Sequence, residues 1–256
     1  MAPRIGVFPA SGGLGTSIGA TLRSADYDDL ATLQDAFEAV DVLMLIPYAS
    51  VEIKNRVDAH RTAIEAALSN GVKHIFYSSL GFASNLTDHS VTHGLYTESF
   101  RIYTAWLDPA HPPRNNEITI PHAGTGPGVC WVKSDEPGEA TAKLIASYTT
   151  HPETFQYVND KVLLTAPREI SLEKTVDIIV RVIGTPLRIR EICVDEYVGL
   201  PQIGDEHTYH GVELSREWAA WEGIRRGETG VVSPVMGEIL GRERERFERT
   251  VQALLG

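Results

Sequence analysis

Apolar runs and amphipathic stretches alternate over the first eighty residues. Arg4-Ile-Gly-Val-Phe8 is a short apolar run that ends in a small-residue loop, and it reads as a first buried strand. Leu30, Leu33, Phe37 and Val40 recur at helical spacing, and Asp28 or Asp29 stands where an N-cap belongs. Asp41-Val-Leu-Met-Leu-Ile-Pro47 is a continuous apolar run stopped by proline, which predicts a second strand buried on both faces. Ile53 to Asn70 predicts a long amphipathic helix, with Val57, Ile64 and Leu68 marking its apolar face and Asn70-Gly71 its stop. His60, in the middle of that helix, reads as a surface residue. His74-Ile-Phe-Tyr-Ser-Ser79 is then a third strand. Strands and helices in strict alternation with short joints are the pattern of a parallel, doubly wound sheet.

Beyond Leu80 the pattern loosens. Gly81 to Gly94 reads as a polar loop, and Tyr96, Phe100, Tyr103 and Trp106 follow at helical or near-helical spacing. Short strands are predicted at Glu117 to Pro121, Phe155 to Val158, Val162 to Thr165 and Leu187 to Cys193. Helices are predicted from Asp135 to about Tyr148 and from Leu172 to Ile183, the second behind the half capping box of Ser171 and Lys174. The last third reads as helical over Glu213 to Arg226, Pro234 to Leu240 and Arg242 to Leu255, and the alternating charges of Gly241 to Arg249 suit a solvated face. The organisation expected is a nucleotide-binding domain over 1–165 and a small α+β, mostly helical lobe over 166–256 interleaved with it.

The loop Ser11-Gly-Gly-Leu-Gly15 follows the first strand directly, where glycines let backbone N–H groups approach a phosphate. Pro9 holds the place where the first glycine of a dinucleotide-binding turn is expected. Only eleven residues separate Gly15 from Tyr27, too few for a full helix and a second strand before the helix at Leu30. The acid that would hold the ribose about 20 positions after the loop falls on Asp35, inside that helix. Leu22 to Ala25 is left as a segment that could pair beside the first strand and close the gap.

A net charge of −11 argues against a phosphate-tracking nucleic-acid surface. No apolar run approaches the roughly 18 residues of a membrane span, and the first residues lack a signal-peptide layout, so cytoplasmic placement is expected. Cys130 and Cys193 have neither disulfide-framework nor zinc spacing and read as two reduced, largely buried thiols.

Ser11 to Gly15, Ala25-Asp-Tyr-Asp-Asp29, Ala63 to Ser79, Ile170 to Pro186 and Leu240-Gly-Arg242 together resemble the NmrA-like atypical short-chain dehydrogenases, nearest their NAD(P)H:quinone oxidoreductase-type branch. The resemblance implies a shortened Rossmann-like sheet with a small substrate lobe, and NADPH or NADH as cofactor. It puts Ser11, Gly12, Gly13, Leu14 and Gly15 on the pyrophosphate and Asp26 and Tyr27 beside the adenine. Ile46, Pro47 and Tyr48 would flank the nicotinamide side, with Ser78 and Ser79 at the end of the next strand. The family's first helix and second strand are largely missing. So is a later unit, a helix with a His/Glu motif and a strand ending in an Arg-x-Gly turn, because Ser90-Val-Thr-His93 runs almost directly into Gly94. An incompletely spliced gene and a pruned relative both account for this.

No Tyr-x-x-x-Lys dyad follows Ser79, so a tyrosine activated by lysine for carbonyl reduction is not expected. Hydride delivery to a quinone or enone needs less, because the cofactor carries the chemistry. Tyr96, His93 and His122 are the available proton donors, and Tyr96, His93 and Ser79 form the candidate catalytic set. The leading expectation is therefore an oxidoreductase of quinone- or enone-like small molecules. A non-catalytic NAD(P)-sensing regulator is favoured by the missing dyad. A non-redox isomerase or dehydratase is favoured by Pro9 and the shortened crossover, which count against a retained cofactor. A small-molecule substrate is the expected partner, with no metal, nucleic acid or membrane, and homodimer formation is left open.

Overall fold

The computed structural model describes residues 3–9, 23–48, 53–80, 91–203, 208–209, 212–213 and 220–255. Its main sheet is parallel and five-stranded, in spatial order β1 (Ile5–Phe8), β2 (Val42–Leu45), β3 (His74–Leu80), β4 (Val91–His93) and β6 (Val162–Leu164). Strand β5 (Glu117–Ile120) pairs in parallel with β7 (Arg188–Glu191) in a separate small sheet, and β8 (Thr208–Tyr209) with β9 (Val212–Glu213) forms an antiparallel ribbon. The α/β, Rossmann-like reading therefore holds. Among the described residues β1 is an edge strand: residues 23–25 are irregular and do not pair beside it, and Leu22 lies outside the described residues.

Helix α1 (Leu30–Phe37) forms because both its ends are satisfied by side chains. The Asp29 carboxylate accepts the backbone N–H groups of Ala31 and Thr32, and Arg23 donates to the carbonyls of Ala36 and Glu38, both at 2.9 Å. Helix α2 (Ile53–Ser69) packs on the same sheet face, and here the expected apolar face is wrong. Ala59, Ala63, Ala66 and Ala67 are buried against Leu43, Leu45, Leu33 and Phe37, whereas Val57, Ile64 and Leu68 face solvent. Alanines without bulk beyond Cβ let the helix backbone sit close to the sheet, so the smaller residues take the inner stripe.

Strand β4 corrects two readings. Residues 91–93 are a paired strand between β3 and β6 rather than loop, and the strand of the unit that looked excised is present. Residues 81–90 lie outside the described ones. The chain leaves β4 through Gly94, where a Cβ would stand 2.7 Å from the Cys130 carbonyl oxygen, so only glycine passes there.

On the opposite sheet face, α3 (Asp135–Thr150) and α7 (Val235–Leu240) cover Val42, Met44, Phe76, Val162 and Leu164. A third core joins segments far apart in sequence: Phe100 and Tyr103 from a 3-10 helix (Thr97–Thr104), Trp131, residues of α4 (Leu172–Ile183), Tyr197 of α5 (Val194–Val198), Trp221 of α6 (Ala220–Arg225) and Phe247 of α8 (Phe247–Leu255). The aromatic stripe is therefore mostly core, with Trp106 alone exposed.

The remaining differences are local. Residues 155–158 are turn rather than strand, Glu213 lies in β9 rather than a helix, and the last helix begins at Phe247 rather than Arg242. Cys130 is buried as expected but Cys193 is exposed, its sulfur capping α5 by accepting the Glu196 N–H. The charged run before α8 is structural at two points. Arg244 donates to the carbonyls of Thr165, Ala166 and Ser233, and Arg242 pairs with Glu136 at 2.6 Å and Glu139 at 2.7 Å. Glu136 is only 2 % exposed. Arg242→Ala should thus cost about 2 kcal/mol in urea unfolding, between the small worth of a surface pair and the 3–5 kcal/mol of a fully buried one. An unchanged midpoint would show that water satisfies Glu136.

Candidate functional site

Open parallel sheets present ligand sites outside the carboxyl ends of their strands. At that rim, five aromatic side chains from five elements meet. Tyr27, 5 % exposed, comes from the turn before α1 and lays its ring 4.5 Å from that of Phe8 at the end of β1. Its hydroxyl donates to the Ile46 carbonyl at 2.5 Å, just past β2. Tyr48 follows, its ring 5.1 Å from that of Tyr27. From α2, His60 accepts the Tyr48 N–H on Nε2 at 2.8 Å, so Nδ1 carries the proton and meets the Tyr77 hydroxyl at 3.1 Å. Burial, with Arg56 nearby, holds the His60 pKa below its ordinary value and favours this neutral form. The surface reading of His60 is therefore corrected. It stands three and seven residues before Ala63 and Ala67, on the inner stripe of α2, and that spacing was the signal available in the sequence.

Beside this cluster opens a cleft of about 490 Å³. Tyr27, Asp28 and Leu30 line it from the turn and the start of α1, Tyr48 from the end of β2, and Asn55, Asp58, Ala59 and Thr62 from α2. Its volume lies within the ordinary range of small-molecule sites.

The residues expected at the site fare differently. Ser11, Gly12, Gly13, Leu14 and Gly15 lie outside the described residues. Asp26 is exposed, and its carboxylate accepts the Asp28 N–H at 3.1 Å, the role of a turn residue. Tyr27 and Tyr48, placed by the resemblance beside the adenine and on the nicotinamide side, are in ring contact here. Pro47 is half-buried beside them.

Ser78 is buried and Ser79 half-buried in β3. The strand registers pair Ser79 with Thr92 and Leu80 with His93. Side chains alternate along a strand, so Ser79 leaves the sheet on the α2 face and His93 on the α3 face. The two do not converge. His93 is fully buried, its Nε2 has no hydrogen-bond partner among the described residues, and burial pushes its pKa down to about 4. Tyr96 lies beyond the carboxyl end of β4, bridged to Val132, and burial with Glu98 nearby pushes its hydroxyl up to about 12. His122 lies just past β5, its Nδ1 accepting the Gly124 N–H at 2.9 Å and its ring beside Trp221. No helix among the described residues is long and apolar enough to cross a membrane.

Residues 14–105 match the NmrA-like family. An NmrA-like family domain-containing oxidoreductase, flvB of Aspergillus flavus, is 25 % identical over 252 residues, covering 89 % of this chain and 77 % of that protein. Two solved structures share the fold. The NADPH-dependent quinone oxidoreductase QOR2 of Escherichia coli, complexed with NADPH, superposes with a TM-score of 0.74 at 21 % identity, covering 98 % of this chain and 100 % of that one. NmrA, a negative transcriptional regulator in complex with NAD, superposes with a TM-score of 0.66 at 13 % identity, covering 100 % and 96 %.

Proposed function

We propose that this chain is an NmrA-like atypical short-chain dehydrogenase and acts as an NAD(P)H-dependent oxidoreductase of quinone- or enone-like small molecules. The observation that carries the reading is the aromatic-walled cleft at the carboxyl ends of β1 and β2. It fits the adenosine half of a nicotinamide cofactor: half-buried Tyr48, backed by the buried ring of Tyr27, offers an aromatic wall for a flat base, and the polar α2 residues face the same space. On this reading the backbone of Ser11 to Gly15 holds the phosphates. Pro47, Ser78 and Ser79 lie toward the nicotinamide, and the small lobe, 166–256 with the interleaved aromatic segment before it, covers the substrate.

A nicotinamide cofactor held in the cleft would supply the hydride, and a quinone or enone needs one proton besides. Tyr96, beyond the carboxyl end of β4, is the donor the chain offers: its hydroxyl is protonated at neutral pH, as any tyrosine is, and can hydrogen-bond a substrate oxygen as charge builds there. His93, neutral and turned to the other face from Ser79, is not its partner. That separation of Ser79 from His93 favours a second reading, an NAD(P)-sensing regulator that binds without turnover.

Titration with NADH and NADPH, followed by tryptophan fluorescence and thermal shift, tests the binding, and reduced-cofactor consumption with a small naphthoquinone tests the chemistry. Saturable binding with a raised melting temperature and consumption is the expected outcome. Binding without consumption of any quinone or enone would transfer the proposal to the regulator, and no binding by a cooperatively folding chain would overturn both.

A further inference from the structure

The ribose-reading acid of a dinucleotide fold usually stands at the tip of the second strand, and this chain has no such strand between β1 and α1 among its described residues. We propose that Asp28 takes that role from the turn before α1, and that the cleft thereby selects the cofactor whose adenosine ribose carries a free 2′-hydroxyl, NADH, over its 2′-phosphorylated form. The inference rests on the nicotinamide-cofactor reading of the cleft.

Three carboxylates crowd the turn, and two are occupied with backbone. Asp26 accepts the Asp28 N–H, and Asp29 caps α1. Asp28 is exposed, lines the cleft next to Tyr27, and its carboxylate makes no hydrogen bond or ion pair among the described residues. Asp58, the other acid lining the cleft, is matched by Lys54 at 3.1 Å and Arg61 at 3.2 Å. Of the two carboxylates that line the cleft, Asp28 is thus the one with no cation beside it among the described residues. A carboxylate has two oxygens for the two O–H donors of a ribose diol, which is the pairing used to read NAD. A 2′-phosphate at the same place would set a second anion against Asp28. Of the cations nearby, Lys54 and Arg61 are held on Asp58 of α2, and Arg23 is drawn away to the carbonyls at the far end of α1 and does not line the cleft.

Equilibrium binding of NADH, NADPH, 5′-AMP and 2′,5′-ADP to the wild-type chain, Asp28→Asn and Asp28→Glu provides the test, with melting temperatures confirming that each variant folds. Wild type should bind NADH and 5′-AMP about tenfold or more tighter than their 2′-phosphorylated counterparts. Asp28→Asn should shrink that ratio severalfold, and Asp28→Glu should keep most of it. A wild-type preference for the phosphorylated ligands, equal binding, or a ratio unmoved in Asp28→Asn would overturn the assignment while leaving the cofactor reading intact. Failure of all four nucleotides to bind would overturn both.

Discussion

Gly128→Ala should cost at least about 3 kcal/mol of stability, the upper range of overpacking penalties, while Gly126→Ala two residues earlier should cost only about 1 kcal/mol. The loop Gly124-Thr-Gly-Pro-Gly128 carries the chain across the segment that precedes α4. A Cβ on Gly128 would stand 2.0 Å from the Ile170 carbonyl oxygen, a backbone atom that cannot swing aside. The crossing is held on both sides. Glu169 accepts the Gly128 N–H at 2.5 Å, Thr229 donates to the Gly128 carbonyl at 2.6 Å, and Val129 and Ile170 exchange two backbone hydrogen bonds. Gly126 has φ +85° but open space around it, so alanine there meets only the left-handed backbone penalty. Urea midpoints of the two variants compare the effects directly. Equal losses would mean that the crossing relaxes around the added methyl.

Acidification from pH 6.5 to about 4 should remove about 3 kcal/mol through His93 alone. In the unfolded chain its imidazole gains a proton near pH 6.5, whereas in the folded chain burial holds it neutral down to about pH 4. The unfolded state therefore binds more protons throughout that window, and stability falls as pH falls. His60, His74 and His122 are held low by burial too and steepen the loss in the same direction. His93→Met, which removes the titrating group and keeps an apolar filling, should flatten the slope between pH 6.5 and 4.5. Chemical denaturation at several pH values would show it. A slope unchanged in His93→Met would place the acid sensitivity elsewhere.

The sheet and its helices were legible from residue spacing wherever an element is bounded by its own chemistry. Asp29 and Ser171 cap helices as their positions suggest, and Pro47 follows the end of β2. What spacing did not show is which stripe of a helix turns inward when the larger side chains lie on one face and the alanines on another. In α2 close approach to the sheet outweighs the transfer of three aliphatic side chains, and His60 goes inward with the alanines. The same limit hid the cleft. The ring contact of Tyr27 with Tyr48 depends on where the turn before α1 lands against β2, which no local pattern records. The three residues of β4 carry too short an alternation to be read, and they are a strand because β3 and β6 supply partners on both sides.

The third core has a consequence for how the chain is made. Phe100, Tyr103 and Trp131 pack against Trp221 and Phe247, so the earlier aromatics leave the ribosome long before their partners exist. At ordinary elongation speeds the wait is on the order of 10 s, during which the five-stranded sheet can assemble but the aromatic segment beside it stays uncovered. Nascent chains paused before residue 220 should therefore recruit chaperones, and those released after Phe247 should not. Slow codons between these points would lower yield without changing a single residue.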